Sequence, residues 1–247
     1  MRLAIIGDVH GRFDVLEIAL RKACETQNID AAVQVGDFGF SEDRLPARPP
    51  FQLPVPLYAV CGNHDDHDYL VRACETGARE QWAAANLFYQ ARASVVSLGE
   101  LCIGFIGGAL HADRPQRRHG GNVITPDEAG RAAELFETAR PDVIVSHSCP
   151  AGIGIGMQSP AEMAWGVTEH VLLAGYDPGP HHDCGEAQLA WLWRALKNRP
   201  RLWCFGHFHT SRETVIGQTR FLCVPRVEPS HQLPVWDSTV PIHRIAP

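Results

Sequence analysis

No Cys-x-x-Cys pair occurs among the eight cysteines of this chain, so the spacing signatures of zinc fingers and disulfide frameworks are missing. Cys61, Cys102, Cys204 and Cys223 fall inside apolar runs, where a reduced thiol packs as a small hydrophobe. A reducing, cytoplasmic setting is therefore expected. No apolar stretch is long enough to span a bilayer, and a secretory leader is not expected, because Met1-Arg2 leads straight into an apolar run with Asp8 close behind. Positive charge is also short. Lys and Arg number 22 against 28 Asp and Glu, a net charge of −6, which argues against bulk nucleic-acid binding through charge alone. A small nucleotide stays open, since bound metals supply local positive charge. Internal repeats and low-complexity tracts are absent.

Five short apolar runs instead end in metal-binding residues. Leu3–Gly7 runs into Asp8-Val9-His10, Ala31–Gly36 into Asp37, Leu57–Gly62 into Asn63-His64-Asp65, Val143–Ser146 into His147, and Leu202–Gly206 into His207-Phe208-His209. Short apolar runs bounded by Gly and polar residues read as buried strands. With helical patterns between them the fold class is α/β, and in open α/β sheets the site lies outside the carboxyl ends of the strands. The Asp, Asn and His residues are thus expected to gather along one sheet edge, the arrangement of a two-metal hydrolytic site. With 45% hydrophobic and 20% charged residues over 247 positions, a single globular domain over 1–247 is expected.

Helical spacing of Phe13, Leu16, Ala19, Leu20 and Ala23 predicts a crossover helix over Arg12–Cys24. A short helix is predicted over Asp68–Thr76. Val95–Leu98 and Leu101–Ile106 flank Gly99-Glu100 as a hairpin. Thr125-Pro126-Asp127-Glu128 is a capping box opening a helix to about Ala139. A further helix is expected over Glu186–Asn198, with Leu189, Leu192, Trp193 and Leu196 on its apolar face, and a late strand over Phe221–Val224. Pro46–Pro56 reads as a surface loop, and the Pro-rich tail stays unassigned. The segments 111–122 (HADRPQRRHGGN) and 148–185 read as long loop insertions over the site.

A carboxylate and an imidazole two residues apart, as in Asp8 and His10, suit Mn, Fe, Zn or Ni better than Ca or Mg. Alone, that pair reads more simply as a turn residue and a surface histidine. Asp37 alone is a turn residue, yet one carboxylate can bridge two cations about 3.5–4 Å apart. Asn63 offers a neutral carbonyl oxygen, and His64 is either a ligand or a general acid. His207 and His209 share one side of an extended segment, because side chains alternate there; each alone reads as a structural histidine. Taken together, the bland readings would need five separate strand ends to carry metal-type residues by accident.

The set GDVHG, GDFG, GNHD, a strand ending in SH, and GHFH, in that order, resembles the five motifs of the calcineurin-like metallophosphoesterases. The resemblance implies a β-sandwich of two mixed sheets flanked by helices and two divalent metal ions per chain. It implies that Asp8, His10, Asp37 and His209 hold one ion, and that Asp37, Asn63, His147 and His207 hold the other, with Asp37 the bridge. His64 would be the acid that orients the substrate and protonates the leaving group after attack by a bridging hydroxide, with Asp65 as its partner. The expected activity is hydrolysis of phosphate esters.

GDFGFSED departs from the GDxVDRG of the Ser/Thr protein phosphatase branch, and GNHD from the GNRD of lipid A pyrophosphatases. VPLYAVCGNHDDHDYL, NLFYQARASVVSLGELCIGFIGG and VSHSCPAGI are similar to the catalytic domain of RNA lariat debranching enzymes. Those enzymes carry Cys at the position of Asp8 and a further C-terminal region. The similarity tilts the expected substrate towards a phosphodiester, small and nucleotidic. A phosphomonoesterase on nucleotides or phosphoproteins is the rival enzyme reading. A non-catalytic scaffold is disfavoured, because every ligand position is filled. Arg114, Arg117, Arg118 and His119 are candidates to clamp a phosphate, since Arg forks suit bidentate contacts; the plainer reading is a solvated basic loop. His181-His182-Asp183 reads as a lid contact, an extra metal site or, more simply, surface.

Overall fold

A computed structural model describes residues 1–110, 121–155, 172–173, 185–230 and 232–240. In the first half, β1 (Arg2–Ile6), β2 (Ala31–Gln34), β3 (Leu57–Ala59) and β4 (Leu87–Tyr89) run parallel. The strand β11 (Val235–Asp237) pairs antiparallel with β1, so the sheet order is β11-β1-β2-β3-β4. The second sheet begins with the hairpin β5 (Ser94–Leu98) and β6 (Leu101–Ile106). It continues through β7 (Val143–Ser146), β8 (Leu202–Phe205), β9 (Arg212–Ile216) and β10 (Thr219–Cys223), in the order β5-β6-β7-β8-β10-β9. Both sheets are mixed, as the resemblance implied.

Alternation along the strands explains the layering. Leu3 and Ile5 of β1 share a cluster with Val33 and with Ile103, Phe105, Val143, Val145, Leu202 and Cys204 from the other sheet. Ala4 and Ile6 point the opposite way, among Leu16 and Leu20 of α1 (Phe13–Gln27), Leu70 of α2 (His67–Glu75) and Trp82 of α3 (Ala78–Ala84). On the far side, Ile144, Trp203 and Phe205 pack under Phe136 of α4 (Pro126–Ala139) and under Leu189 and Leu192 of α5 (Ala187–Ala195). The result is a four-layer helix, sheet, sheet, helix stack. Strands buried on both faces read as continuous apolar runs, and each large side chain so buried contributes about 1.5–3 kcal/mol.

Several boundaries differ from expectation, each for a local reason. Helix α1 runs three residues past Cys24, to Gln27, where Asn28 turns left-handed at φ 48°. Helix α2 starts at His67 because the Asp66 carboxylate accepts from the Tyr69 N–H at 2.9 Å as an N-cap. The capping box at Thr125 and Glu128 forms as read. Helix α5 stops at Ala195, short of Asn198. Leu196 is extended, and the N–H groups of Lys197 and Asn198 turn to the Glu137 carboxylate of α4. The late strand covers Thr219–Cys223 and not Phe221–Val224. The Pro46–Pro56 segment has no regular element, but it is no bare surface loop, since Phe51 and Leu53 are buried against α1 and its neighbours. Elements α3, β4, β9 and β11 were not foreseen.

Candidate metal centre

The predicted ligands follow the carboxyl ends of five strands, but these strands belong to two sheets. Asp8 and His10 follow β1, Asp37 follows β2 and Asn63 follows β3, in the first sheet; His147 follows β7, and His207 and His209 follow β8, in the second. The expected single sheet edge is thus corrected to the common rim of a sandwich. Packing between the two sheets aligns the strand ends that pattern alone assigned to one edge.

The backbone is strained where the predicted ligands sit. Eight non-glycine residues among those described have positive φ, and four of them are His10 (53°), Asp37 (52°), His207 (68°) and His209 (52°). Such a conformation costs roughly 1–2 kcal/mol for an L-residue, and strain of this kind collects at functional sites. It also corrects the expectation that His207 and His209 share a side by strand alternation: the segment is a left-handed turn. Two glycines make room for the carboxylates. A Cβ on Gly62 would collide with Asp37 Oδ1, and a Cβ on Gly206 with Asp8 Oδ1.

The side chains converge from these positions. Asp8, wholly buried, receives the His207 N–H on Oδ1 at 3.1 Å and faces His209 Nε2 with Oδ2 at 3.0 Å. His10 Nε2 lies 3.2 Å from His209 Nε2 and 3.9 Å from Asp37 Oδ2. On its other flank, Asp37 Oδ2 is 3.4 Å from His147 Nε2, which in turn lies 2.9 Å from Asn63 Oδ1. His207 packs its ring beside that of His147, centroids 5.0 Å apart. Two groups, Asp8 with His10 and His209, and Asp8 with Asp37 and His147, each bring their ligand atoms within 4.8 Å of one another. Asp8 therefore reaches towards both halves, although the resemblance assigns it to one.

The donor set fits divalent cations. His147 Nδ1 lies 2.8 Å from the Val35 carbonyl. A carbonyl only accepts, so Nδ1 carries the hydrogen and Nε2 is presented to the centre, the second-layer support usual for a metal-bound histidine. Burial would depress His147, but the Asp37 charge and hydrogen bond outweigh it and raise it to about 10. Burial likewise opposes ionisation of Asp37, and His147 overrides it, holding the carboxyl well below its ordinary range. His207 is pushed well down, first by burial and then by the charge of His147. Two buried carboxylates facing imidazole nitrogens match the oxygen and nitrogen preference of Mn, Fe, Zn or Ni.

His64 is half-buried, its N–H donates to Asp37 Oδ1 at 2.7 Å, and its ring stands edge-on to His10. Asp65 is buried and accepts four backbone N–H groups: Gly39 and Phe40 on Oδ1, Phe38 and Gly62 on Oδ2, at 2.7–3.2 Å. It ties the loop after β2 to the loop after β3. Burial and the neighbouring Asp37 charge raise it, to about 6, against the pull of those four donors. Arg114, Arg117, Arg118, His119 and His181-His182-Asp183 lie outside the described residues. Two residues near the site had no motif to announce them. Asn122 reads in sequence as the last residue of the polar loop 111–122, yet it is buried against the loop carrying His64. Glu186 reads as the first residue of a helix, yet it is a buried carboxyl that accepts from the Leu110 N–H at 2.9 Å and is raised to about 7 by burial.

A sequence model of the calcineurin-like phosphoesterases matches residues 1–211, and the chain belongs to that family. It is 26% identical to the lariat debranching enzyme of Schizosaccharomyces pombe over an alignment 244 positions long that covers 87% of this chain and 50% of that protein. The chain thus spans about half the length of the curated relative it matches. The fold is shared with the protein TT1561 of Thermus thermophilus, at a TM-score of 0.56 and 13% identity, covering 92% of this chain and 89% of that one. Among the described residues, no helix is long and apolar enough to cross a membrane.

Proposed function

We propose that this calcineurin-like phosphoesterase hydrolyses small phosphodiesters, nucleotidic in kind, at a binuclear centre. One observation carries the binuclear reading: the buried Asp37 Oδ2 stands between His10 Nε2 at 3.9 Å and His147 Nε2 at 3.4 Å, one histidine from each predicted half. Asp8, His10, Asp37 and His209 would hold one ion, and Asp37, Asn63, His147 and His207 the other. When bound, two such cations lower the pKa of water and offset charge on the phosphoryl oxygens. The protein's own part is positional. Asp37 fixes the His64 backbone through Oδ1, so the same residue that would join the ions also sets the distance of the imidazole from them. His64 donates a proton to the leaving oxygen, a contribution typically worth ~10²–10⁴ in rate. Asp65 keeps the two carrying loops in register. The lean towards diesters is supported by the similarity to a lariat debranching enzyme, and the free thiols among the described residues are in keeping with a cytoplasmic protein. Arg114, Arg117, Arg118 and His119 would contact the anionic substrate.

The test is Asp37→Asn with metal analysis beside turnover. Expected are lower occupancy of both positions and a loss of turnover of ~10³-fold or more, since an amide gives up the charge facing both halves. Near-normal turnover with full metal would refute the shared carboxylate. Faster hydrolysis of bis-p-nitrophenyl phosphate than of p-nitrophenyl phosphate is expected of the intact protein; the reverse order would replace the diesterase with a monoesterase.

A further inference from the structure

The backbone around His64 is held from two sides. Its own N–H goes to Asp37 Oδ1. The carbonyls of its two neighbours, Asn63 and Asp65, both accept from a single side-chain nitrogen, Asn122 Nδ2, at 2.8 and 3.0 Å. A carboxamide nitrogen carries two hydrogens and a carbonyl only accepts. The amide orientation is therefore fixed, and one group satisfies both carbonyls. Asn122 is itself buried, and its backbone carbonyl accepts from the Ala109 N–H at 2.9 Å, anchoring it to the segment that leaves β6. Its Oδ1 is buried with no partner among the described residues. Among the described residues, the polar contacts of the side chain are the two donations that bracket His64.

We propose that Asn122 is a positioning residue for the proton donor: by holding the Asn63–His64 peptide plane and the Asp65–Asp66 plane one residue beyond, it sets the direction in which the imidazole faces the leaving oxygen. This rests on the reading of His64 as general acid. Each plane keeps one other bond, His64 N–H to Asp37 Oδ1 and Asp66 N–H to the Phe40 carbonyl, but a plane held at one end only can tilt and swing the His64 Cα–Cβ bond, and a shift of about 1 Å at a catalytic group can cost ~10²-fold. Asn63 and Asp65 stay held by other bonds, Asn63 through its contact with His147 and Asp65 through four N–H donors. Those bonds hold the Asn63 and Asp65 side chains, so loss of the clamp is felt in the backbone that carries His64, which keeps its N–H bond to Asp37 Oδ1.

The experiment compares wild type, Asn122→Ala and Asn122→Ser, each also in a His64→Ala background. Metal content, Tm and kcat are measured across diesters whose leaving groups run from p-nitrophenolate to simple alkoxides. Imidazole ¹H–¹³C spectra follow the His64 signal, identified by its disappearance in His64→Ala. Expected are wild-type metal content, a displaced or split His64 signal, and a kcat loss of about tenfold for alkoxide leaving groups that shrinks to about twofold for p-nitrophenolate. In the His64→Ala background the same substitutions should cost nothing further, the mark of a residue acting through another. An unmoved His64 signal in both variants, a loss equal across leaving groups, loss of metal, or a full further loss without His64 would each overturn the proposal. Should the metal-loaded wild type hydrolyse no phosphate ester, the phosphoesterase reading fails by itself, and the His64 signal alone decides whether Asn122 positions that side chain.

Discussion

Metal affinity should climb steeply with pH, and His147 sets the slope. In the metal-free centre, burial would lower this imidazole, but Asp37 outweighs it and holds the value at about 10. Nδ1 keeps its hydrogen on the Val35 carbonyl. The proton that titrates is therefore on Nε2, the atom that must be bare to bind a cation. An ordinary histidine is already neutral above about pH 7.5, and burial pushes His10 and His207 lower still. From about pH 7.5 to 9.0, binding must displace the His147 proton, so affinity should gain nearly tenfold per unit, ~30-fold or ~2 kcal/mol across the window. Stability without metal should run the other way. A histidine raised in the folded state contributes stability that is complete below its unfolded value near 6.5 and is lost as pH rises through about 10. The chelator-treated protein should thus lose Tm over the window in which the loaded protein tightens its hold on metal. Calorimetric titration with Mn in two buffers of different ionisation enthalpy reads both the affinity and the released proton. Affinity flat with pH, no buffer-dependent heat, or a chelated protein that gains Tm would refute the assignment of that proton.

His64→Ala should keep its metal and lose kcat by ~10²-fold or more on alkoxide leaving groups, and far less on p-nitrophenolate, which needs little protonation; equal losses at both ends of the series would remove the general-acid role. Gly206→Ala drives a Cβ onto Asp8 Oδ1 and against Val35 Cγ2; it should cost ~1–3 kcal/mol by overpacking and lower metal content, both read on one purified sample. Asp65→Asn turns an amide N–H₂ against two of four backbone donors; a loss of about 3 kcal/mol in denaturant unfolding is expected, and a change under about 0.5 kcal/mol would discount its part in joining the loops.

Legibility in the sequence follows the physics of each element. Strands buried on both faces announce themselves as short apolar runs, and every strand that leads into a predicted ligand is of that kind: β1, β2, β3, β7 and β8. The edge strands β9 and β11 did not. Arg212–Ile216 is largely exposed, with Glu213, Val215 and Ile216 all open to water, so neither an apolar run nor a clean alternation marks it. Val235–Asp237 is three residues long and pairs with β1 more than 230 positions away, and no local pattern encodes such a partner. Helix α5 ended early because a carboxylate from α4 took its next N–H groups, a tertiary competitor invisible in its own periodicity.

The site divides along the same line. Residue types were readable, because metal chemistry restricts them to Asp, Asn and His. Backbone state was not. His207 and His209 converge as the sequence led one to expect, but the assumed cause, alternation along an extended segment, is absent; both residues are left-handed. Nothing in Gly-His-Phe-His favours that conformation over an extended one, and an isolated peptide would leave it. What holds it is the surroundings: His207 donates its N–H to a buried Asp8 oxygen, Phe208 packs on Phe205, and the Gly206 N–H is fixed on the His147 carbonyl at 2.9 Å. The same carboxylate that would hold a cation thus also holds the turn that delivers a second ligand. Ligand geometry and backbone strain are two consequences of one contact, so removing Asp8 should relax the turn as well as weaken the metal site, and a reading that stops at residue types can foresee only the second.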